Sequence, residues 1–283
     1  MAIKKLTLSF DNGPDPECTP MVLDLLKERN IKTTFFVCGK GNSLHPALEA
    51  GSSEGLKLLD RIIDEGHWVG NHSLSHSVEL GTTNNKLLIE QEIGGNEEII
   101  KEYNQHKLFR PYMAGGIISP KIFSQEAVDF LCLNKYTLVL FNVLPKDWEN
   151  PETWHLEALE QMENYDWSDI IIHDVSLYNS MPKLEEFLNE VEKREIEIVQ
   201  DFPPDCMPIV KGNIVGPIDG IVGSGKEDPH PFTKLGVAFI NEEKESILER
   251  FSMSEDEFNE LRKSGLQLRL SLIHISEPTR PLR

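Results

Sequence analysis

Ser9-Phe10-Asp11-Asn12-Gly13-Pro14-Asp15-Pro16 closes a run, Leu6-Thr7-Leu8-Ser9-Phe10, in which every second residue is apolar. A period of two reads as a β-strand with one face turned to a core. Gly13-Pro14 cannot continue a strand, so Asp11 and Asn12 sit on a strand-to-loop corner, where a rigid scaffold often carries its reactive groups. An isolated Asp-Asn-Gly is also an ordinary turn whose side chains bond their own backbone. Residues farther along the chain decide between the two.

The same theme recurs: a short apolar, β-branched run, a turn, then an amphipathic stretch. The first strand, Lys4 to Phe10, precedes a helix from Thr19 to Arg29 with the stripe Met21, Val22, Leu25 and Leu26. Lys32 to Cys38 and Glu54 to Glu65 form the next pair, then His67 to Asn71 with Lys86 to Glu102, and Lys107 to Arg110 with Ser119 to Leu131. Tyr136 to Val143 precedes a helix from Pro151 to Asn164, Asp169 to Asp174 one from Pro182 to Arg194, and Ile196 to Asp201 is a seventh strand. Strands alternating with helices predict parallel pairing through right-handed crossovers, hence an α/β fold. A barrel is favoured over a doubly wound sheet, although periodicity alone does not separate them.

Residues 1–204 are therefore read as one barrel domain. After Pro203-Pro204 the chain becomes rich in Gly and Pro, and 205–238 reads as a loop or arm laid over the barrel. Two helices are expected at 241–250 and 254–264, the second opened by the capping box Ser254 to Glu257. Residues 205–270 thus form a loop-rich arm and helical extension, with packing or a dimer contact as its expected role. The last stretch, 271–283, places Arg280 and Arg283 against Glu277 in an otherwise acidic chain. It resembles a translated sequencing-adapter read and is taken as a non-native tail, His274 included.

The 283 residues carry a formal net charge of −19, which excludes a general basic surface for nucleic acid or anionic membrane. No apolar run approaches the roughly 18 residues that span a bilayer. Met1 to Lys5 runs almost directly into the first strand, without the apolar stretch of a secretion signal. The four cysteines, Cys18, Cys38, Cys132 and Cys206, form no C-x-x-C pair. Together these features predict a cytoplasmic protein without disulfides or a cysteine-based zinc site.

Polar residues gather where strands end. His72-Ser73-Leu74-Ser75-His76 comes directly after the third strand and, if helical, sets two imidazoles one turn apart, a spacing that offers two nitrogens to a metal. Arg110-Pro111-Tyr112 comes after the fourth strand, Asp147-Trp148 after the fifth, and His173 ends Ile170-Ile171-Ile172. Each has an ordinary explanation: solvated or packed histidines, a salt-bridging Arg, an N-capping Asp. Their coincidence at one end of the strands, where barrel enzymes carry their chemistry, favours a shared site.

These segments, in this order, resemble the signatures of the polysaccharide deacetylases of the NodB-homology type. Ser9 to Pro14 is similar to Thr-Phe-Asp-Asp-Gly-Pro, and His72 to His76 meets His-Ser/Thr-x-x-His in full. Arg110-Pro111-Tyr112 is one residue short of Arg-Pro-Pro-Tyr, Asp147-Trp148 matches Asp-Trp, and Ile170 to His173 corresponds to Leu-x-Leu-His. The resemblance implies a distorted (β/α)7-type barrel that hydrolyses an N-acetyl amide with a divalent metal, usually zinc. It implies His72 and His76 as metal ligands, Asp11 as general base held by Arg110, and His173 as general acid oriented by Asp147. The Tyr112 N–H is then a candidate oxyanion donor. An amide needs an activated nucleophile, a cation for its developing oxyanion and a proton for a poor leaving group, and this set supplies all three.

Asn12 departs from the pattern, standing where the family has a carboxylate ligand. Three arrangements are open: Asn12 ligates through its oxygen, Asp11 or Asp15 takes over, or metal binds too weakly for catalysis. With no secretion signal, the expected substrate is a soluble N-acetylated sugar or another small amide. The rival readings are a non-catalytic, carbohydrate-binding descendant and a metal-independent amidase on the same barrel. The sequence does not address oligomeric state.

Overall fold

A computed structural model describes residues 4–40 and 50–225. The expected helices at 241–250 and 254–264 and the tail at 271–283 lie outside the described residues. Within them the order is β1 (Lys5–Asp11), α1 (Cys18–Glu28), β2 (Thr34–Val37), α2 (Ser53–Asp64), β3 (Trp68–Asn71), α3 (Lys86–Ile100), β4 (Leu108–Phe109) and α4 (Gln125–Leu133). Then come β5 (Thr137–Leu138), α5 (Trp154–Gln161), β6 (Trp167–His173), α6 (Leu184–Lys193), β7 (Glu197–Val199), β8 (Ile209–Val210) and β9 (Asn213–Ile214).

The strands curl into a distorted α/β barrel. β1 is central, with β6 along its whole length and β2 from Ser9 onward; β3, β4 and β5 continue in parallel order. β7 takes the edge of β1 that β2 leaves open, pairing Lys5 to Thr7 with Glu197 to Val199. Between β5 and β6 the ring closes on one parallel bridge, Val143 to Ile170. The Asn142 side chain spans the gap there, accepting from the Asp169 N–H at 2.8 Å and donating to the Trp167 carbonyl at 3.0 Å. β8 and β9 extend the outer edge of β5 as an antiparallel hairpin, so 209–214 of the expected arm is part of the sheet.

Alternation along β1 explains the layering. Leu6, Leu8 and Phe10 face outward into a core shared with Val22, Leu26, Leu59, Ile62, Trp154 and Phe187 of the helices. A second core joins Ile93 of α3 and Val128 and Leu131 of α4 to Phe109, Leu138 and Ile209. Thr7, Ser9 and Asp11 share the opposite, buried face. Phe36, Leu108, Val139 and Phe202 form a further apolar cluster, and the Phe36 ring supports the Arg110 guanidinium at 4.0 Å.

The helix expected from Pro151 to Asn164 is shorter, Trp154–Gln161, and two further elements differ more. The fifth strand, expected from Tyr136 to Val143, pairs regularly only at Thr137 and Leu138, because the Val139 and Leu140 carbonyls accept from Arg110 instead of a neighbouring strand. The helix expected from Ser119 begins at Gln125, where Ser124 caps it by accepting from the Ala127 N–H at 3.3 Å.

Candidate active site

β1 and β6 run in register with Asp11 opposite His173, so these two strand ends are direct neighbours. Each side chain is held from behind. Asp11 Oδ1 accepts from Arg110 Nη1 at 2.8 Å, and both residues are buried. His173 Nδ1 donates to Asp147 Oδ1 at 2.7 Å, while Asp147 Oδ2 accepts from the His173 N–H at 3.0 Å and from Ser180 Oγ at 2.9 Å. Burial alone disfavours a charged His173. The Asp147 carboxylate outweighs it, with Asp11 and Asp174 adding, and the imidazole is held above its ordinary 6.5. The edges of Trp148 and Tyr178 flank the ring at 5.2 and 5.4 Å.

His72 faces the same carboxylate. Its Nδ1 lies 2.9 Å from the Arg110 carbonyl, which only accepts, so Nδ1 carries the proton and Nε2 presents a lone pair. Burial pushes the His72 pKa below its ordinary value against the pull of Asp11, keeping the ring neutral. Nε2 then stands 3.5 Å from Asp11 Oδ2, acceptor against acceptor. A cation between them removes that conflict, and a ligating histidine characteristically donates its other N–H to a carbonyl. The donor set therefore fits a divalent ion. The His76 ring lies 4.7 Å from that of His72 and packs at 4.6 Å on Tyr112.

The route to this pairing differs from the expected helical turn. Ser73 and His76 have φ of 66° and 47°, which a helix does not allow, and residues 72–78 are a loop. Glu92 of α3 holds it, its carboxylate accepting from the Ser75 N–H at 3.0 Å and from Ser75 Oγ at 2.7 Å.

Asn12 is buried, with φ of 76°, and its Oδ1 lies 3.8 Å from the Cys38 thiol. Among the described residues no three His, Cys, Asp or Glu side chains converge as a metal cage. Asp15 is turned away: its Oδ1 accepts from the Glu17 and Cys18 N–H groups and its Oδ2 from Ser176. At Gly13 a Cβ would meet Asp174 Oδ2 at 2.5 Å, so this corner admits no side chain. The Tyr112 N–H has no acceptor among the described residues.

Arg110 makes four hydrogen bonds here. Nε bonds the Val139 carbonyl, Nη1 bonds Ser9 Oγ at 2.7 Å and Asp11, and Nη2 bonds the Leu140 carbonyl and faces Asp169 Oδ2 at 3.6 Å. Ser9 and Asp169 were not among the expected site residues, yet each stands on the inward face behind Asp11 or His173, at a spacing of two along β1 and of four along β6.

The polysaccharide deacetylase family model matches residues 1–117, which include Asp11, Asn12, His72, His76, Arg110 and Tyr112. Over that segment the barrel is similar to the polysaccharide deacetylase family. Over 153 residues, 52% of this chain and 62% of the relative, the chain is 32% identical to a peptidoglycan-N-acetylglucosamine deacetylase of Bacillus cereus. The chain spans less than two thirds of the length of these curated relatives. Among solved structures, a peptidoglycan N-acetylglucosamine deacetylase in complex with 4-naphthalen-1-yl-N-oxidanyl-benzamide is 26% identical, covering 73% of this chain and 89% of its own, with a TM-score of 0.56. A family 4 acetyl xylan esterase from Clostridium thermocellum, in complex with a cobalt ion, is 25% identical over 70% of this chain and 88% of its own, with a TM-score of 0.54.

Proposed function

We propose that this barrel removes the acetyl group from an N-acetylated sugar by metal-assisted hydrolysis of the amide. The observation that carries the reading is the pair of braced groups on neighbouring strand ends, Asp11 on Arg110 and His173 on Asp147, beside the His72 lone pair. His72, His76 and the Asn12 amide oxygen would hold a divalent ion, zinc by family resemblance. When bound, that ion supplies an electrophile for the carbonyl oxygen and makes water more acidic.

Asp11 is the base, its carboxylate aimed by Arg110 and Ser9 so that Oδ2 is left for a proton from the attacking water. His173 is the acid. Held above its ordinary pKa by Asp147, it stays protonated into the neutral range and delivers a proton from Nε2 to the departing amine. The Tyr112 N–H is a second donor for the carbonyl oxygen as charge develops there. With protons moved through Asp11 and His173, no free hydroxide or unprotonated leaving amine is required.

We take the substrate to be soluble and of sugar size, and the protein to act in the cytoplasm. The test is acetate release from chitooligosaccharides and from monomeric N-acetylglucosamine, with and without chelator and added Zn2+ or Co2+. Release that chelation abolishes and metal restores supports the reading. Release indifferent to chelator points to a metal-free amidase, and sugar binding without release under any metal to a non-catalytic descendant; either overturns it.

A further inference from the structure

The loops around the mouth of the barrel differ in character from the rest of the chain. Of all residues 27% are charged, yet the loops after β4, β5 and β6 read Met113-Ala114-Gly115-Gly116-Ile117-Ile118, Leu144-Pro145-Lys146-Asp147-Trp148 and Ser176-Leu177-Tyr178-Asn179. Their charges are Lys146, which reaches Glu149 at 3.4 Å, and the buried Asp147. Ile117 is 66% exposed, Ile118 45% and Leu177 59%. One exposed apolar side chain is ordinary; three on loops that border one cleft call for a ligand. The loops are anchored and follow one another around that cleft. A Cβ at Gly116 would run into the Leu144 side chain, and Gln161 fixes Leu144 by accepting from its N–H at 2.8 Å and donating to its carbonyl at 3.0 Å. Trp148 and Tyr178 both pack on His173. The last loop is tied at both ends: Asp15 Oδ2 accepts from the Ser176 N–H at 3.0 Å and its hydroxyl at 2.8 Å, and Ser180 Oγ donates to Asp147. Asp15, turned away from the metal corner, thus helps to hold Leu177 out on the rim.

We propose that this rim binds an apolar aglycone, so that the substrate is an N-acetylated sugar carrying an apolar group and not a sugar polymer. The inference rests on the deacetylase reading, in which His173 gives its proton to the amine that stays on the sugar. The sugar therefore stands beside His173, and its substituent lies past Trp148 and Tyr178, where the exposed apolar side chains are. A further sugar ring would bring hydroxyls that need donors and acceptors in exchange for water, and loops of this composition offer few. An apolar group needs only a surface against which to leave water, and burying roughly two methylenes is worth about tenfold in affinity.

Calorimetric titration of the full chain without added metal tests this and needs no turnover. The probes are octyl N-acetyl-β-glucosaminide, below its micellar concentration, the methyl glycoside and diacetylchitobiose. The octyl glycoside should bind about tenfold or more tightly than either of the others. Combining Ile117→Ser with Leu177→Ser should cut its advantage over the methyl glycoside to about threefold or less. Should the double variant not fold, each single exchange should still reduce the advantage. Equal affinities for the octyl and methyl glycosides, tighter binding of diacetylchitobiose, or an octyl advantage that survives the exchanges overturns the inference. Sedimentation with phosphatidylcholine vesicles, or self-association, without an octyl preference assigns the rim to a bilayer or a second copy and overturns it too. In the metal-loaded protein the octyl preference should appear in KM, with kcat nearly unchanged. Absence of acetate release from every glycoside refutes the proposed function while leaving the binding result standing.

Discussion

Replacing Asp147 by Asn isolates what the carboxylate does for His173. The side chain keeps its size in a fully buried position but loses its charge. It now meets three donors: His173 Nδ1–H, the His173 main-chain N–H and Ser180 Oγ–H. One amide end must face one of the His173 donors, or the ring must change tautomer. A hydrogen bond to a charged partner contributes about 1.5 to 3 kcal/mol, and Asp147 raises the His173 pKa against burial, so without that charge burial takes it below the ordinary 6.5. An acid catalyst must be protonated, so the basic limb of kcat/KM for acetate release should move to lower pH. At pH 8 the loss should be about 10- to 100-fold, reaching the lower end of the range assigned to general acid catalysis. A variant whose basic limb coincides with that of the wild type would refute the assignment, however large its loss of rate.

Three further expectations concern the same barrel. Asn12→Asp restores a carboxylate at the metal corner and should tighten zinc binding by about tenfold or more, read by competition with a chromophoric chelator; unchanged affinity means that position 12 lies outside the donor set. Gly70→Ala places a Cβ 2.5 Å from the Phe36 ring that supports Arg110, and overpacking of this kind should lower stability by about 1 to 3 kcal/mol in urea unfolding, with activity reduced besides. Burial raises the Asp174 pKa from 3.8 to about 8, so its contribution is complete below 3.8 and lost as pH rises through 8. Tm should therefore decline across that window, and Asp174→Asn should flatten the decline.

The strand-helix alternation was legible because each strand carries its period of two and each helix its apolar stripe, so β1, α1, β2, α2 and α6 fall within a residue or two of their expected bounds. The strand ends exposed the site for the same reason: Asp11, His72, Arg110 and His173 stand where an apolar run stops. The features that escaped depend on partners far along the chain. Tyr136 to Val143 has the pattern of a long strand, but carbonyls 139 and 140 are claimed by a side chain that begins at residue 110. The histidine pair carries a helical spacing, and only positive φ at Ser73 and His76 shows that a loop brings the rings together. Asp169 did leave a signal, a charged residue on the inward face of an apolar strand, but nothing local says that it shares Arg110 with Asp11.

Where β5 stops pairing, the Arg110 side chain takes over, tying β1 to the carbonyls of residues 139 and 140 across the weakest stretch of the ring. The group that aims the Asp11 carboxylate is therefore also the stitch that keeps this side closed. Mutational drift meets two unequal positions. A rim side chain such as Asn12 can be exchanged, and catalysis dimmed or extinguished, with the scaffold intact; exchange of Arg110 removes scaffold and chemistry together. A lineage that abandons the reaction should shed its metal corner first and retain the buried arginine long afterwards.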